Sequence, residues 1–334
     1  MDIPFVTPKS MGEAIRRQIR TALHAKPGST TAEIASMTGV SFPTISKTID
    51  EMNEQHEVLL TGLATSSGGR RPKTYALNPE YRIGLTVYLE KDFIVYSVIN
   101  YNGQLIERQR LPGVMTEGPD ALTAQIAPFV QRYENLHTLT FGVPGAVNEG
   151  RSFYIPSFAA FKDFDFKSYY EGHFNKHVLV ENDVNAAVVG YQDLLQAGKN
   201  ESIVYVYFGR RALGAGILLN GEIVRGSTFF SGEISLLPLY DEKSLLQAVR
   251  EPSLIVDALS RLVAIMVATI NPSRVIFSGE QMDGLSLEDI VTRSGHYVPR
   301  SILPKLEPSE WEPDYLHGLQ CLTVRNMLAS GSVK

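Results

Sequence analysis

Cysteine is close to absent from this chain: Cys321 stands alone among 334 residues. No disulfide can close within the chain and no zinc site can be built from cysteines, which fits a reducing cytoplasm. A secretory signal is not in view either. The chain opens Met-Asp-Ile-Pro-Phe-Val-Thr-Pro-Lys-Ser, without a basic stretch leading into an apolar core. The longest apolar segment, Leu254 to Ile270, is broken by Asp257, Ser260 and Arg261. Its apolar residues recur at helical spacing, so it predicts a core helix and no membrane span. Positive charge is scarce overall, with 31 lysines and arginines against 36 acids. The protein as a whole is therefore not a basic nucleic-acid binder. Its first 79 residues differ, with nine cations against seven acids, while the remainder holds 22 against 29. That asymmetry permits a DNA-binding module at the front of an acidic body.

The front segment, residues 1–80, carries the pattern of such a module. Ile15, Ile19 and Leu23 mark a helix from Met11 to His24 that ends at Pro27-Gly28. Thr30 and Glu33 form a capping box for a short helix through Met37. After the Thr38-Gly39-Val40 turn, Ser41 caps a further helix with Pro43 in its first turn and Ile45, Ile49 and Met52 on its inner face. Helix, glycine turn, helix is the arrangement whose second helix enters a major groove. Ser41, Phe42, Thr44, Ser46 and Lys47 are the candidate contacts to bases and phosphates. Two short strands, Val58 to Leu63 and Thr74 to Leu77, flank a loop bearing Arg70, Arg71 and Lys73. This predicts a winged helix-turn-helix domain, with the wing arginines placed for phosphates or a minor groove.

Residues 81–334 change period. Three strands (Arg82 to Leu89, Phe93 to Ile99, Gln104 to Arg110) lead into alternating helices and strands ending in a helix from Asn182 to Leu195. A second meander follows at Ile203 to Phe208, Gly214 to Leu219 and Glu222 to Arg225, then helices at Lys243 to Val249 and Ser253 to Ile270 and a strand at Arg274 to Phe277. Two halves in one order predict a duplicated α/β fold with a ligand cleft between them. The first subdomain spans about 81–195 plus a closing helix at about 314–330, and the second about 196–313. The stretch Val204 to Leu239 has the glycine spacing of a ligand loop, yet carries Arg210 and Arg211 where small residues would be expected.

Together these residues resemble the ROK family, which groups sugar-responsive repressors with bacterial sugar kinases. The resemblance rests on Ser67-Gly68-Gly69-Arg70-Arg71-Pro72, on Gly142-Val143-Pro144-Gly145, on Glu181-Asn182-Asp183-Val184-Asn185-Ala186-Ala187, and on Leu213-Gly214-Ala215-Gly216, Asn220-Gly221 and Gly232-Glu233-Ile234. It implies a pair of actin-like, hexokinase-like (ribonuclease H-like) subdomains behind the winged helix-turn-helix. It also implies that Asp183 is the positional counterpart of the kinase base, with Asn182 and Glu233 beside it as sugar ligands.

Glycine is lacking where phosphate would bind. Kinase members carry a D-x-G-G-T turn; here Thr86 replaces the aspartate, Tyr88 and Leu89 the glycines, and Glu90 the threonine. The second phosphate loop is reduced to Arg210-Arg211-Ala212-Leu213-Gly214-Ala215-Gly216. Bulk and negative charge exclude phosphate from the first. The family's zinc-binding cysteines are absent, and His173 and His177, though four apart, have no cysteine or carboxylate in register. The expectation is no catalysis, no metal and no cofactor, with Ser157, Asn182, Asp183 and Glu233 able to ring a small polyol. The bland alternative is that Asn182 and Asp183 cap a helix and Glu233 pairs with an arginine. The reading that follows is a cytoplasmic DNA-binding repressor of carbohydrate-related genes. It would act as a homodimer or dimer of dimers on a double-stranded operator, with a sugar or sugar phosphate as effector and no membrane partner. The alternatives are an ATP-dependent sugar kinase with a DNA-binding head, and a regulator that takes no effector or works through a protein partner.

Overall fold

The computed structural model describes residues 8–64, 71–155, 158–196, 198, 200–210 and 212–331. Three helices, α1 (Pro8–Ala25), α2 (Thr31–Thr38) and α3 (Phe42–Glu54), stand beside a small sheet of β1 (Ser29–Thr30), β2 (Val58–Leu63) and β3 (Lys73–Leu77) in the order β1-β3-β2. The capping box is present with both bonds: Thr30 Oγ1 accepts from Glu33 N, and the Glu33 carboxylate accepts from Thr30 N. Gly39 ends α2 in the left-handed region, at φ 69°. Ile19, Leu23, Ile34, Ile45, Ile49 and Met52 close the core of this head. One expectation needs correction. Ser41 sits at the N-cap of α3 but makes no capping bond to backbone; its hydroxyl lies 2.8 Å from the Thr44 hydroxyl instead.

The body repeats one sheet twice. The first is built from β4 (Ile83–Leu89), β5 (Phe93–Ile99), β6 (Leu105–Pro112), β7 (Leu136–Val143) and, after the hairpin of β8 (Ala146–Asn148) and β9 (Arg151–Tyr154), β10 (His177–Asn182). Its order is β10-β7-β4-β5-β6. The second uses β11 (Ile203–Phe208), β12 (Leu213–Leu219), β13 (Glu222–Ile223), then, beyond the β14 (Pro238–Tyr240) and β15 (Lys243–Ser244) hairpin, β16 (Arg274–Ser278) and β17 (Lys305–Pro308), in the order β13-β12-β11-β16-β17. In both, three antiparallel strands are extended by two parallel ones. Central strands β4 and β7 are buried along their whole length, because helices cover both faces. Helices α4 (Pro119–Arg132) and α5 (Phe166–Phe174) cover the outer face of the first sheet, and α7 (Leu245–Ala248), α8 (Ile255–Thr269) and α9 (Leu287–Ser294) lie with the second.

Between the sheets run α6 (Asp183–Leu194) and α10 (Trp311–Ala329), joined to both by Tyr88, Val188, Tyr205, Ile276, Tyr315 and Leu319. The two helices cross backbone to backbone at Gly190 and Gly318. A Cβ on Gly190 would stand 1.9 Å from the Asp314 carbonyl oxygen, and one on Gly318 would stand 1.8 Å from that of Ala186. The closing helix thus starts at Trp311, earlier than the sequence reading had it, and packs against both lobes. The expected helix at Lys243 is also different: β15 comes first and α7 is a single turn.

The far end of α10 enters the head. Val324, Met327 and Leu328 share a core with Ile19, Met52 and Tyr101. Its last carbonyls are gripped by cations: Arg82 donates to Met327 O and, at 2.9 Å, to Ser330 O, while Arg20 donates to Ser330 O at 3.3 Å. Cations at a helix C-terminus satisfy orphan carbonyls and oppose the dipole. His137 completes the joint, 3.2 Å from Gly331 O and with its ring 4.6 Å from that of His177, tilted by 39°. Burial, aided by the Arg82 charge, pushes the His137 imidazole down to about 3 from its ordinary 6.5. The unfolded chain therefore takes up a proton near pH 6.5 that the folded chain refuses until about pH 3. Stability contributed by neutral His137 is intact above the unfolded value and is lost as pH falls below it. At a pH one unit below that value the expected loss is about 1 kcal/mol. Urea unfolding at the two pH values should reveal it, and His137→Gln should flatten the difference.

Candidate functional site: the interlobe cleft and the exposed face of the head

The cleft is organised by the step from β10 into α6. Asn182 keeps an extended backbone at φ −61°, ψ 142° and caps α6, its Oδ1 accepting from Asn185 N at 2.9 Å. Its amide donates to Gly145 O and to Asp183 Oδ1, both at 3.0 Å. Both amide protons are thus used inside the protein, and what Asn182 does at the cleft is hold Asp183 in place. Asp183 Oδ1 also accepts from Val184 N at 2.8 Å. Its other oxygen has no partner among the described residues.

Asp183 and Glu233 line one cavity of about 240 Å³ with Tyr154, Tyr207 and Ser231. Roughly eight liquid waters would fill that volume, the scale of one sugar ring. Glu233 follows Gly232, which has φ 96° and whose Cβ would meet Ala215 O at 2.0 Å, so only glycine permits this approach. Burial raises the Glu233 carboxyl above its ordinary range. Burial raises Asp183 well above its own, and the neighbouring Glu90 and Glu233 charges add to the effect. Glu233 does not pair with an arginine among the described residues. The nearby cation, Arg225, reaches across the lobes to buried Glu181 instead. Ser157, expected to join this ring, lies outside the described residues, as does Arg211.

On the other side of Asp183 the ground is filled. Trp311 Nε1 donates to Glu90 Oε1 at 3.3 Å and Tyr88 Oη donates to the same oxygen at 3.1 Å. The Trp311 ring lies 4.0 Å from that of Tyr207, and Tyr88 lies 4.3 Å from Tyr315. A carboxylate and four large rings from both lobes and α10 occupy the region beside the degenerate turn. Arg210 is not in the polyol cavity. It lies in a neighbouring depression of about 410 Å³ with Arg250. Trp311, Tyr207 and the Arg225–Glu181 pair carry no local sequence signal, and their roles appear only when distant segments meet.

In the head, Ser41, Phe42 and Lys47 are exposed on α3, with Thr44 and Ser46 half-buried on the same stretch. Lys47 is 82% exposed and only 4.0 Å from Glu51. The later turns of α3 carry Asp50, Glu51 and Glu54, so the side offered to an anion is the first half of the helix. Arg71 and Lys73 are exposed at the start of β3, and Arg70 lies outside the described residues. His173 and His177 do not form a pair: His173 stacks on Tyr169 at 5.8 Å, and His177 faces His137 from β10.

A two-lobed, sugar-kinase-like body behind a head of three helices and a small sheet defines the class to which this fold belongs. Residues 87–244 match the model of the ROK family. It is 28% identical over 212 residues to a xylose repressor of Bacillus spizizenii, covering 61% of this chain and 54% of the relative. It is also 27% identical over 120 residues to a beta-glucoside kinase of Listeria monocytogenes, covering 35% of this chain and 40% of the kinase. The chain thus spans about half the length of the curated repressor it matches, and its relatives include both repressors and kinases. Among solved structures, a ROK family transcriptional regulator, a homologue of the E. coli Mlc protein, superposes with TM-score 0.69 at 16% identity over 95% of this chain and 99% of its own. The ROK hexokinase of Thermus thermophilus superposes with TM-score 0.59 at 18% identity over 73% of this chain and 97% of its own. No helix among the described residues is long and apolar enough to cross a membrane.

Proposed function

We propose that this chain is a DNA-binding transcriptional repressor of carbohydrate-related genes, whose body binds a sugar as effector and transfers no phosphate. The observation that carries the reading is the course of α10. Its first turns place Tyr315 in the core between the lobes and Trp311 against Tyr207 of the cavity wall, and its last turn is built into the core of the head. A ligand that favours one setting of the lobes favours one setting of α10, and with it one spacing of two reading helices in a homodimer on a two-fold operator. The head at 1–80 reads DNA, and the body at 81–334 senses and pairs.

Genomic DNA captured by the full chain should yield palindromic sites, released by a cognate sugar. Capture of no fragment at low salt would sink the proposal. Lys47→Ala and Arg71→Ala should each weaken binding and lower the slope of log affinity against log salt by about one unit per lost phosphate contact. An unchanged slope would remove that residue from the interface.

The carboxylates around the cavity, with no cation lining it among the described residues, favour a neutral sugar over a sugar phosphate. In a thermal-shift panel, neutral monosaccharides should raise the melting temperature more than their phosphates. A hundredfold excess over Kd should add about 2.7 kcal/mol, and Glu233→Ala should abolish the shift. Phosphate transfer from ATP to a hexose, lost in Asp183→Asn, would overturn the non-catalytic part of this reading.

A further inference from the structure

On the side of the body away from the cleft, α6 and α10 bring three different donors together. His317 and Cys321 are four residues apart on α10 and so share a face one turn apart. Asp193, in the last turn of α6, meets them from the opposite helix, with Asp193 Oδ2 2.7 Å from His317 Nε2. One ligand atom from each of the three residues lies within 4.8 Å of the other two. We propose that Asp193, His317 and Cys321 form a binding site for a thiophilic divalent cation, with zinc the ion that fits best.

The donor set selects the ion. Thiolate, imidazole and one carboxylate oxygen favour zinc or cobalt and disfavour magnesium and calcium, which want oxygen alone. Bond lengths of about 2.0–2.3 Å at tetrahedral angles put ligand atoms about 3.3–3.7 Å apart. Small side-chain rotations that open the Asp193–His317 contact and draw any wider pair in reach that spacing. Backbone placement is already fixed, because the Gly190–Gly318 crossing lies next to both Asp193 and His317. Cys321 and His317 are half-buried and Asp193 is exposed, so an ion can enter and water can take the fourth position.

Without metal a proton does the ion's work. The hydrogen bond to Asp193, then that to Cys321, raises the His317 imidazole to about 10. A metal ion must displace that proton, so binding should tighten as pH rises. Asp193 also lies near enough to α1 for its charge to act on His24, so the site borders the head. From sequence alone no metal is expected, for want of cysteines and of partners for His173 and His177. A mixed set split between residues 124 apart leaves no spacing to read.

The test is a cobalt titration of the full-length, chelator-treated chain, followed by zinc competition. One cobalt per chain should bind with a thiolate-to-metal charge-transfer absorption that zinc abolishes. Cys321→Ser should remove the absorption, and Asp193→Asn and His317→Ala should each weaken zinc binding at least tenfold. Circular dichroism and the unfolding midpoint establish that each variant is folded. Asp193→Asn, changed at an exposed side chain, keeps the test decisive if a variant on α10 misfolds. No charge-transfer band in the parent chain, or zinc affinity unmoved in the folded variants, overturns the proposal.

Discussion

Gly318→Val is expected to leave little or no folded protein. At Gly318 a Cβ would stand 1.8 Å from the Ala186 carbonyl oxygen and 2.6 Å from its carbon. The obstacle is backbone, which cannot rotate aside as a side-chain end can. Nor can α6 retreat, since a Cβ on Gly216 of β12 would already meet Val184 O at 2.3 Å. Ordinary overpacking costs about 1–3 kcal/mol; forcing two helices apart beneath both sheets should exceed about 3 kcal/mol out of a total near 5–15. Gly190→Ala, facing the Asp314 carbonyl at 1.9 Å, should behave alike. Gly172, in α5 with nothing within 4 Å of its Cβ position, is the control. Gly172→Ala should raise stability by about 0.5–1 kcal/mol through helix propensity alone. Urea midpoints compare the three, and a Gly318 variant as stable as the Gly172 variant would show the crossing to be loose.

What could be read from the sequence was local. The Thr30–Glu33 capping box, the Gly39 turn and the inner stripe of α3 are set by neighbours three or four residues apart, and each appears where the spacing put it. The repeated meanders were legible because buried parallel and antiparallel strands write different periods, and the two halves write them in one order. Asp183 and Glu233, 50 residues apart, line one cavity. What the spacing could not reveal is how side chains are used up. The Asn182 amide is consumed by Gly145 and Asp183, and Arg225 answers Glu181 from 44 residues away, leaving Glu233 without a cation among the described residues. Trp311 fills ground beside a turn more than two hundred residues earlier in the chain. Ser41 is a lesson at short range: the cap position was legible, but the hydroxyl chose Thr44 over the backbone.

Glu57→Ala should loosen the head from the body by about 3–5 kcal/mol. Arg20 and Glu57 are each 1% exposed. Their contact, Arg20 Nε to Glu57 Oε1 at 2.6 Å, is shared with the Tyr101 hydroxyl at 3.1 Å and extends through Arg20 to Glu13 at 2.5 Å. Removing Glu57 leaves the buried guanidinium with one carboxylate, Glu13, and its Nε side without an acceptor, and that desolvation sets the magnitude. The loss should appear in urea as a separate early transition of the head. Replacing both partners by apolar residues, Arg20→Met with Glu57→Leu, strands no charge and should bring most of the stability back. The pair also does something stability does not measure: Arg20 holds Ser330 O at the end of α10. If α10 carries the sugar signal, the double variant should bind operator as tightly as the parent but release it less when sugar is added. Equal release in both would mean that the apolar contacts of Val324, Met327 and Leu328 transmit the signal unaided, leaving the buried ion pair with a purely structural part.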